Sequence, residues 1–175
     1  MVKIKKAIFF DRDGTLIKNH TIKNNVPIAI RNLKDFRLIN NSFLTLKKLS
    51  KRFLIIVITN QPDVSRGKNS KKNVIQINNK LKKKLPLIDI ITSFSANNKN
   101  FMRKPNPGMI YLAKKKYKIN LRLSYVVGDT CKDILAGKRV SCKTILINKS
   151  YNKNSYCNPD YKISNLKQIL NIVKF

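Results

Sequence analysis

The stretch Ala7-Ile8-Phe9-Phe10-Asp11-Arg12-Asp13-Gly14-Thr15 decides the fold. Four apolar residues run without alternation into a carboxylate, a second carboxylate follows two positions on, and a glycine comes next. A short apolar run bounded by a turn signal reads as a strand buried on both faces. Carboxylates just past its end place chemistry at the strand's carboxyl edge. Similar runs occupy residues 53–58, 88–91, 125–127 and 144–147; the first ends at Thr59 and the third at Gly128-Asp129. Helical spacing fills the intervals. Phe43, Leu46 and Leu49 follow the capping residue Ser42, and Val74, Ile77, Leu81 and Leu85 follow Ser70. Pro107 suits the first turn of a helix carrying Ile110, Leu112 and Ala113. A shorter pattern covers 133–140, and Leu166, Ile169, Leu170 and Val173 follow Ser164. This alternation predicts an α/β fold with a central parallel sheet flanked by helices. A chain of 175 residues fits a single domain over 1–175. Ligands of such sheets bind beyond the carboxyl ends of the strands at a topological switch point. Asp11, Thr59 and Asp129 are therefore expected to converge.

The net charge is +30, with 30 Lys, 8 Arg and no Glu against eight Asp. Selection for phosphate recognition would favour the planar fork of Arg. The excess of Lys, together with abundant Asn and Ile, instead matches A/T-rich codon usage. The charge is read as compositional, a field that attracts anionic substrates without making nucleic acid the cognate partner. Four of the eight Asp fall in two groups, Asp11 with Asp13 and Asp129 with Asp133. Cys131, Cys142 and Cys157 are odd in number and lack metal-knuckle spacing, so reduced thiols are expected, with Cys131 in a packing role. No apolar run is long enough to span a membrane. The basic start at residues 1–6 precedes too short an apolar run for a signal peptide. A cytoplasmic monomer is the expectation.

On a strand, residues two apart share a face, and a turn at Gly14 lets Asp11 and Asp13 reach one point without equivalence. Carboxylates that close repel unless a cation joins them. Magnesium suits all-oxygen ligands and keeps coordination positions open for phosphate. Thr59 and Asn60 offer a hydroxyl and an amide to phosphate oxygens. Lys104, before the Pro107 helix, offers a cation.

Four motifs in order carry a resemblance over residues 4–147. Phe-Phe-Asp-Arg-Asp-Gly-Thr-Leu, Ile-Thr-Asn-Gln, Arg-Lys-Pro-Asn-Pro-Gly-Met and Val-Gly-Asp-Thr-Cys-Lys-Asp resemble the motifs of the haloacid dehalogenase (HAD) superfamily. The resemblance implies a Rossmann-like fold, here without a large cap domain. It implies Asp11 as nucleophile, Asp13 as general acid/base, and Thr59 and Lys104 as holders of the phosphoryl group. Magnesium would be held by Asp11, the Asp13 carbonyl and Asp129, while Asp133 orients Lys104 or the loop.

Within the superfamily the motifs resemble the heptose 1,7-bisphosphate 7-phosphatases, with histidinol-phosphate phosphatases and polynucleotide 3′-phosphatases as alternatives. A basic nucleic-acid-binding module on an inactive fold is the non-enzyme alternative, and the intact motifs argue against it. The heptose branch implies a small phosphorylated substrate contacted by Arg103 and by the loop Asn19-His20-Thr21-Ile22. That loop departs from the Asp-His-Gly-Tyr usual in the branch. Residues 93–102 lack the Cys and His of a zinc loop, so no structural zinc is expected. Thr130 stands where a Lys is common.

Overall fold

Strand β1 (Ala7–Phe10) is buried along its whole length, and its side chains divide between two cores. Ile8 and Phe10 join one cluster, Ala7 and Phe9 the other. Each face needs apolar residues, which is why the run shows no alternation. The same division recurs in β4 (Leu54–Asn60), with Ile55 and Val57 on one side and Ile56 and Ile58 on the other.

The computed structural model describes residues 4–24, 26–153 and 156–173. Six strands form one parallel sheet in the order β5-β4-β1-β6-β7-β8. The others are β5 (Asp89–Ser93), β6 (Tyr125–Gly128), β7 (Lys143–Ile147) and β8 (Tyr161–Ile163). Helices α1 (Ser42–Leu49), α2 (Lys71–Lys84) and α5 (Ile169–Ile172) pack on the Ile8/Phe10 face. Helices α3 (Gly108–Tyr117) and α4 (Cys131–Lys138) cover the other. The chain steps outward from β1 to β4 and β5, then returns to β6 on the opposite side of β1. The crevice of the switch point thus opens beyond β1 and β6, with β4 alongside. Phe10 pairs in register with both Val57 and Val127, so the next residues of all three strands emerge together.

Between β1 and α1 the chain inserts a small antiparallel hairpin, β2 (Thr21–Lys23) and β3 (Val26–Ile28), and a 3-10 turn. No separate cap domain is present among the described residues. Among them, too, no helix is long and apolar enough to cross a membrane. Residues 1–3 of the basic start lie outside the described residues.

Several local expectations change. Ser42 is the first residue of α1 instead of its cap; its hydroxyl donates to the Ile39 carbonyl, and the preceding Asn41 turns the chain at φ 63°. Ser70 does cap α2, accepting from the Asn73 N–H at 3.1 Å. Helix α4 starts at Cys131, two residues before the apolar pattern, because the Asp133 carboxylate accepts the Thr130 N–H and hydroxyl. Asn165, not Ser164, precedes the last helical segment, which opens as a 3-10 turn (Leu166–Gln168).

The expectation of three reduced thiols is corrected. Cys131 and Cys157 are joined as a disulfide, with Cα atoms 5.3 Å apart, and the buried Cys142 alone is a free thiol among the described residues. Cys157 packs with Ile134 and Leu146 against the start of α4. That proximity is made by the fold, and a separation of 26 residues does not reveal it.

Candidate active site

A cleft of about 540 Å³ opens at the carboxyl ends of β4, β1 and β6. Asp11, Asp13, Thr59, Asn60, Arg103, Lys104 and Asp129 all line it. Asp11 follows β1, its N–H donating to the Val127 carbonyl at 2.9 Å, so the sheet itself fixes its backbone. Asp129 follows β6 in the same way.

Lys104 is enclosed and donates three hydrogen bonds: to Asp11 Oδ1 at 2.7 Å, to Asp133 Oδ1 at 2.6 Å and to the Ile58 carbonyl at 2.8 Å. Burial opposes its charge, but Asp11 and Asp133 overcome this and hold the ammonium well above its ordinary pKa. It is a fixed cation.

Carboxylate oxygens of Asp11, Asp129 and Asp133 lie within 4.8 Å of one another. Burial, opposed by Lys104 and reinforced by the other carboxylates, pushes Asp11 above the usual range. Burial and then Asp133 push Asp129 the same way. Three carboxylates facing one ammonium leave two negative charges when ionised. A divalent oxygen-seeking cation such as magnesium therefore fits the donor set. Asp11 pairs only Oδ1, whereas Asp133 and Asp129 each accept hydrogen bonds at both oxygens, Asp133 from Lys104 and Thr130 and Asp129 from Thr15 and Tyr151.

Asp13 Oδ2 accepts from Arg12 Nε at 2.9 Å and from Gln61 Nε2 at 2.8 Å. Its Oδ1 is buried and has no protein partner. Gln61 also donates to Thr59 Oγ1 at 2.9 Å, leaving the Thr59 hydroxyl hydrogen free to donate into the cleft. Arg12 is enclosed and donates to Asn78 of α2, which in turn donates to Thr92 of β5. This chain of bonds anchors Asp13 to the scaffold.

Asn60 differs from expectation. Its amide donates to the Lys104 carbonyl at 2.9 Å and accepts the Lys104 N–H at 3.0 Å. Oδ1 and one Nδ2 hydrogen thus hold the Lys104 backbone, a positioning role that the sequence did not suggest. His20 also departs. It is exposed, its Nδ1 lies 3.5 Å from Asp35 Oδ2, and it does not line the cleft. Its neighbour Asn19 does, and donates to the Tyr151 hydroxyl at 3.2 Å.

Arg103 donates to the Ser95 carbonyl at 2.9 Å and to Asn98 Oδ1 at 3.2 Å. Burial and then the charge of Arg66 lower its pKa. Lys132 is lowered by burial and then by Arg103. Arg66, Arg103 and Lys132 thus form a second cationic pole in the cleft. Arg31 donates twice to Asp63 Oδ2, at 2.9 and 2.7 Å, joining the strap after β3 to the loop after β4.

Sequence reasoning missed Thr15, Gln61, Tyr151 and Asn152. Thr15 donates to Asp129 Oδ1 at 3.2 Å, and the Tyr151 hydroxyl donates to Oδ2. Burial and then the charge of Asp129 hold the Tyr151 phenol well above its ordinary pKa, so it keeps its proton. Asn152 donates to the carbonyls of Asp129 and Ile147. Gly14 sits at φ +81°, where a Cβ would stand 2.1 Å from Asp129 Oδ2; only glycine admits this approach. Thr15 and Gln61 lie within the quoted motifs, a usable signal. Tyr151 and Asn152 carry none.

Residues 6–172 match the sequence model of the family described as polynucleotide kinase 3 phosphatase. The chain belongs to this family. It is similar to the D-glycero-alpha-D-manno-heptose-1,7-bisphosphate 7-phosphatase of Photorhabdus laumondii, 35% identical over 78% of this chain and 78% of the relative. It is also similar to the D-glycero-beta-D-manno-heptose-1,7-bisphosphate 7-phosphatase of Pasteurella multocida, 29% identical over 84% and 83%. Among solved structures, the D,D-heptose 1,7-bisphosphate phosphatase of B. bronchiseptica, complexed with magnesium and phosphate, superposes with a TM-score of 0.80 at 19% identity. That match covers 95% of this chain and 97% of the other. A HAD phosphatase from Thermococcus onnurineus gives 0.69 at 16% identity, covering 95% and 97%. The fold is that of the HAD phosphatases, and the protein is a phosphoric monoester hydrolase.

Proposed function

We propose that the chain hydrolyses the 7-phosphate of a D-glycero-D-manno-heptose 1,7-bisphosphate with magnesium as cofactor. The observation that carries this reading is the second cationic pole. Thr59 and Lys104 line the cleft beside Asp11, and Arg66, Arg103 and Lys132 add further cations to the same cleft that a second phosphate would meet. A substrate with a phosphate at each end satisfies both poles; histidinol phosphate satisfies one. The Arg31–Asp63 bridge across the rim favours a small substrate over a polynucleotide end.

In this reading Asp11 attacks phosphorus through its carboxylate while Asp13 protonates the departing oxygen. Lys104 and Thr59 hold the non-bridging oxygens as charge shifts among them. Asp13, now deprotonated, takes a proton from water, which attacks the aspartyl-phosphate and regenerates Asp11. Asp11, the Asp13 carbonyl and Asp129 would hold the magnesium, whose charge would offset that of the phosphoryl oxygens.

The test is a phosphate-release panel at physiological salt with magnesium. It contains both anomers of the heptose bisphosphate, histidinol phosphate and a 3′-phosphorylated oligonucleotide. The highest kcat/KM is expected for a heptose bisphosphate. A higher value for either of the other two replaces this assignment.

A further inference from the structure

The phosphatase reading uses the Asp129 carboxylate but does not account for the side chains that grip it. Thr15 holds Oδ1 from the β1 turn. Tyr151 holds Oδ2 from a 3-10 turn (Ser150–Asn152) that follows β7, outside all four motifs. The phenol oxygen accepts from Asn19 Nδ2 at 3.2 Å, so its proton is directed to Asp129. Asn152, one residue on, fixes the backbone beneath by donating to the Asp129 carbonyl at 2.9 Å. The seat is closely built. A Cβ on Gly14 would come within 2.8 Å of the Tyr151 oxygen, so the motif glycine also makes room for the phenol. Tyr151 lines a second cavity of about 470 Å³ with Lys18 and Lys149, and Asn19 lines both that cavity and the catalytic cleft.

We infer that Tyr151 is a positioning residue that orients the Asp129 carboxylate and so sets the affinity of the carboxylate cluster for its divalent cation. The inference rests on the reading of Asp129 as a metal ligand. A carboxylate held at both oxygens cannot rotate freely about its terminal torsion, so it need not be ordered when the cation arrives. Partners that hydrogen-bond to a ligand in this way typically change metal affinity about 10–100-fold when removed. A purely space-filling tyrosine would act on stability and leave cation affinity alone. Phe keeps the ring and removes only the hydroxyl.

The experiment measures Mn²⁺ binding to the full chain by calorimetry without substrate, alongside the magnesium concentration for half-maximal activity. Tyr151→Phe is expected to weaken Mn²⁺ binding about tenfold and to raise the half-activating magnesium concentration by a similar factor. Its kcat at saturating magnesium should fall far less. Asn19→Ala, which removes the grip on the phenol oxygen, should weaken binding about threefold, and the double variant should bind no worse than Tyr151→Phe alone. If Tyr151→Phe does not fold, the Asn19→Ala affinity decides alone. Mn²⁺ affinity within twofold of the parent in the deciding variant overturns the inference. Asp129→Asn separates the two levels. If it abolishes Mn²⁺ binding while Tyr151→Phe does not change it, the positioning role fails and the metal site stands. If Asp129→Asn itself binds Mn²⁺ normally, the metal-ligand reading fails.

Discussion

Asp11 and Asn60 are both polar residues at the ends of buried strands, and the sequence treats them alike. The structure separates them by what each side chain still has to give. Asp11, which lines the cleft, commits only Oδ1, to Lys104, whereas Asn60 ties Oδ1 and Nδ2 to the Lys104 backbone. Asp11→Asn is therefore expected to cut phosphate release by at least about a thousandfold, the scale of losing a nucleophile. The fold should survive. Burial and neighbouring carboxylates hold the Asp11 pKa up, so ionised Asp11 is a cost that the amide relieves, and Lys104 retains Asp133. Circular dichroism and a melting temperature close to the parent would accompany the loss; near-normal turnover would overturn the covalent mechanism. Aspartates at strand ends are legible because their scarcity and spacing mark them. Commitments such as those of Asn60 and His20 are not, because they depend on partners distant in sequence or on the path of a loop.

Elements were legible where they are long or apolar and obscure where they are short and mixed. The four central strands β4, β1, β6 and β7 declare themselves by burial on both faces, and α2 by its spacing behind Ser70. The β2–β3 hairpin is largely exposed and contains Pro27, so no alternation or core run reports it. Strand β8 is the sheet edge, three residues with Lys162 in the middle, held by β7 and by Asp160. The Asp160 carboxylate accepts both the N–H and the hydroxyl of Thr144 at the start of β7. Burial raises its pKa, but these hydrogen bonds outweigh it and the net shift is downward. A depressed folded pKa contributes stability above the unfolded value of about 4 and loses it as pH falls through the folded value. Asp160→Ala should therefore lower the melting temperature by about 2–4 °C at pH 7, equivalent to about 1 kcal/mol for a part-buried hydrogen-bonded pair. The gap to the parent should close below about pH 4, as scanning calorimetry across pH would show. The same region holds the disulfide, which no pattern foretold. Thiol titration of protein denatured without reductant should count one free cysteine, Cys142, and three after reduction. Three before reduction would return Cys131 and Cys157 to the thiol state expected from sequence.

At the scale of the whole molecule the net charge of +30 has a definite placement. Lys82, Lys83 and Lys84 form the last turn of α2, and Lys114, Lys115 and Lys116 that of α3, all exposed. In a parallel sheet the connecting helices run back toward the strands' amino ends, opposite the cleft. These runs therefore complement helix C-terminal dipoles on the far side of the molecule from Asp11. Their influence on a substrate is a long-range field, screened over a Debye length of about 8 Å at physiological ionic strength. Inside the cleft the cations are Arg31, Arg66, Lys68, Arg103, Lys104 and Lys132, of which Arg103 and Lys104 are enclosed. A small bisphosphate meets only these, whereas an oligonucleotide also meets the surface lysines and releases counterions with each contact. Raising salt from 50 to 200 mM should lower kcat/KM for the heptose bisphosphate by less than about tenfold. Binding of a DNA oligonucleotide that makes 6–10 phosphate contacts should weaken by about 10³–10⁵-fold over the same range. Initial rates and fluorescence anisotropy on the two ligands would read both slopes. A kcat/KM for a 3′-phosphorylated oligonucleotide that stays above that for the sugar at 200 mM salt would show that the distant lysines serve recognition, and would reassign the enzyme to polynucleotide ends.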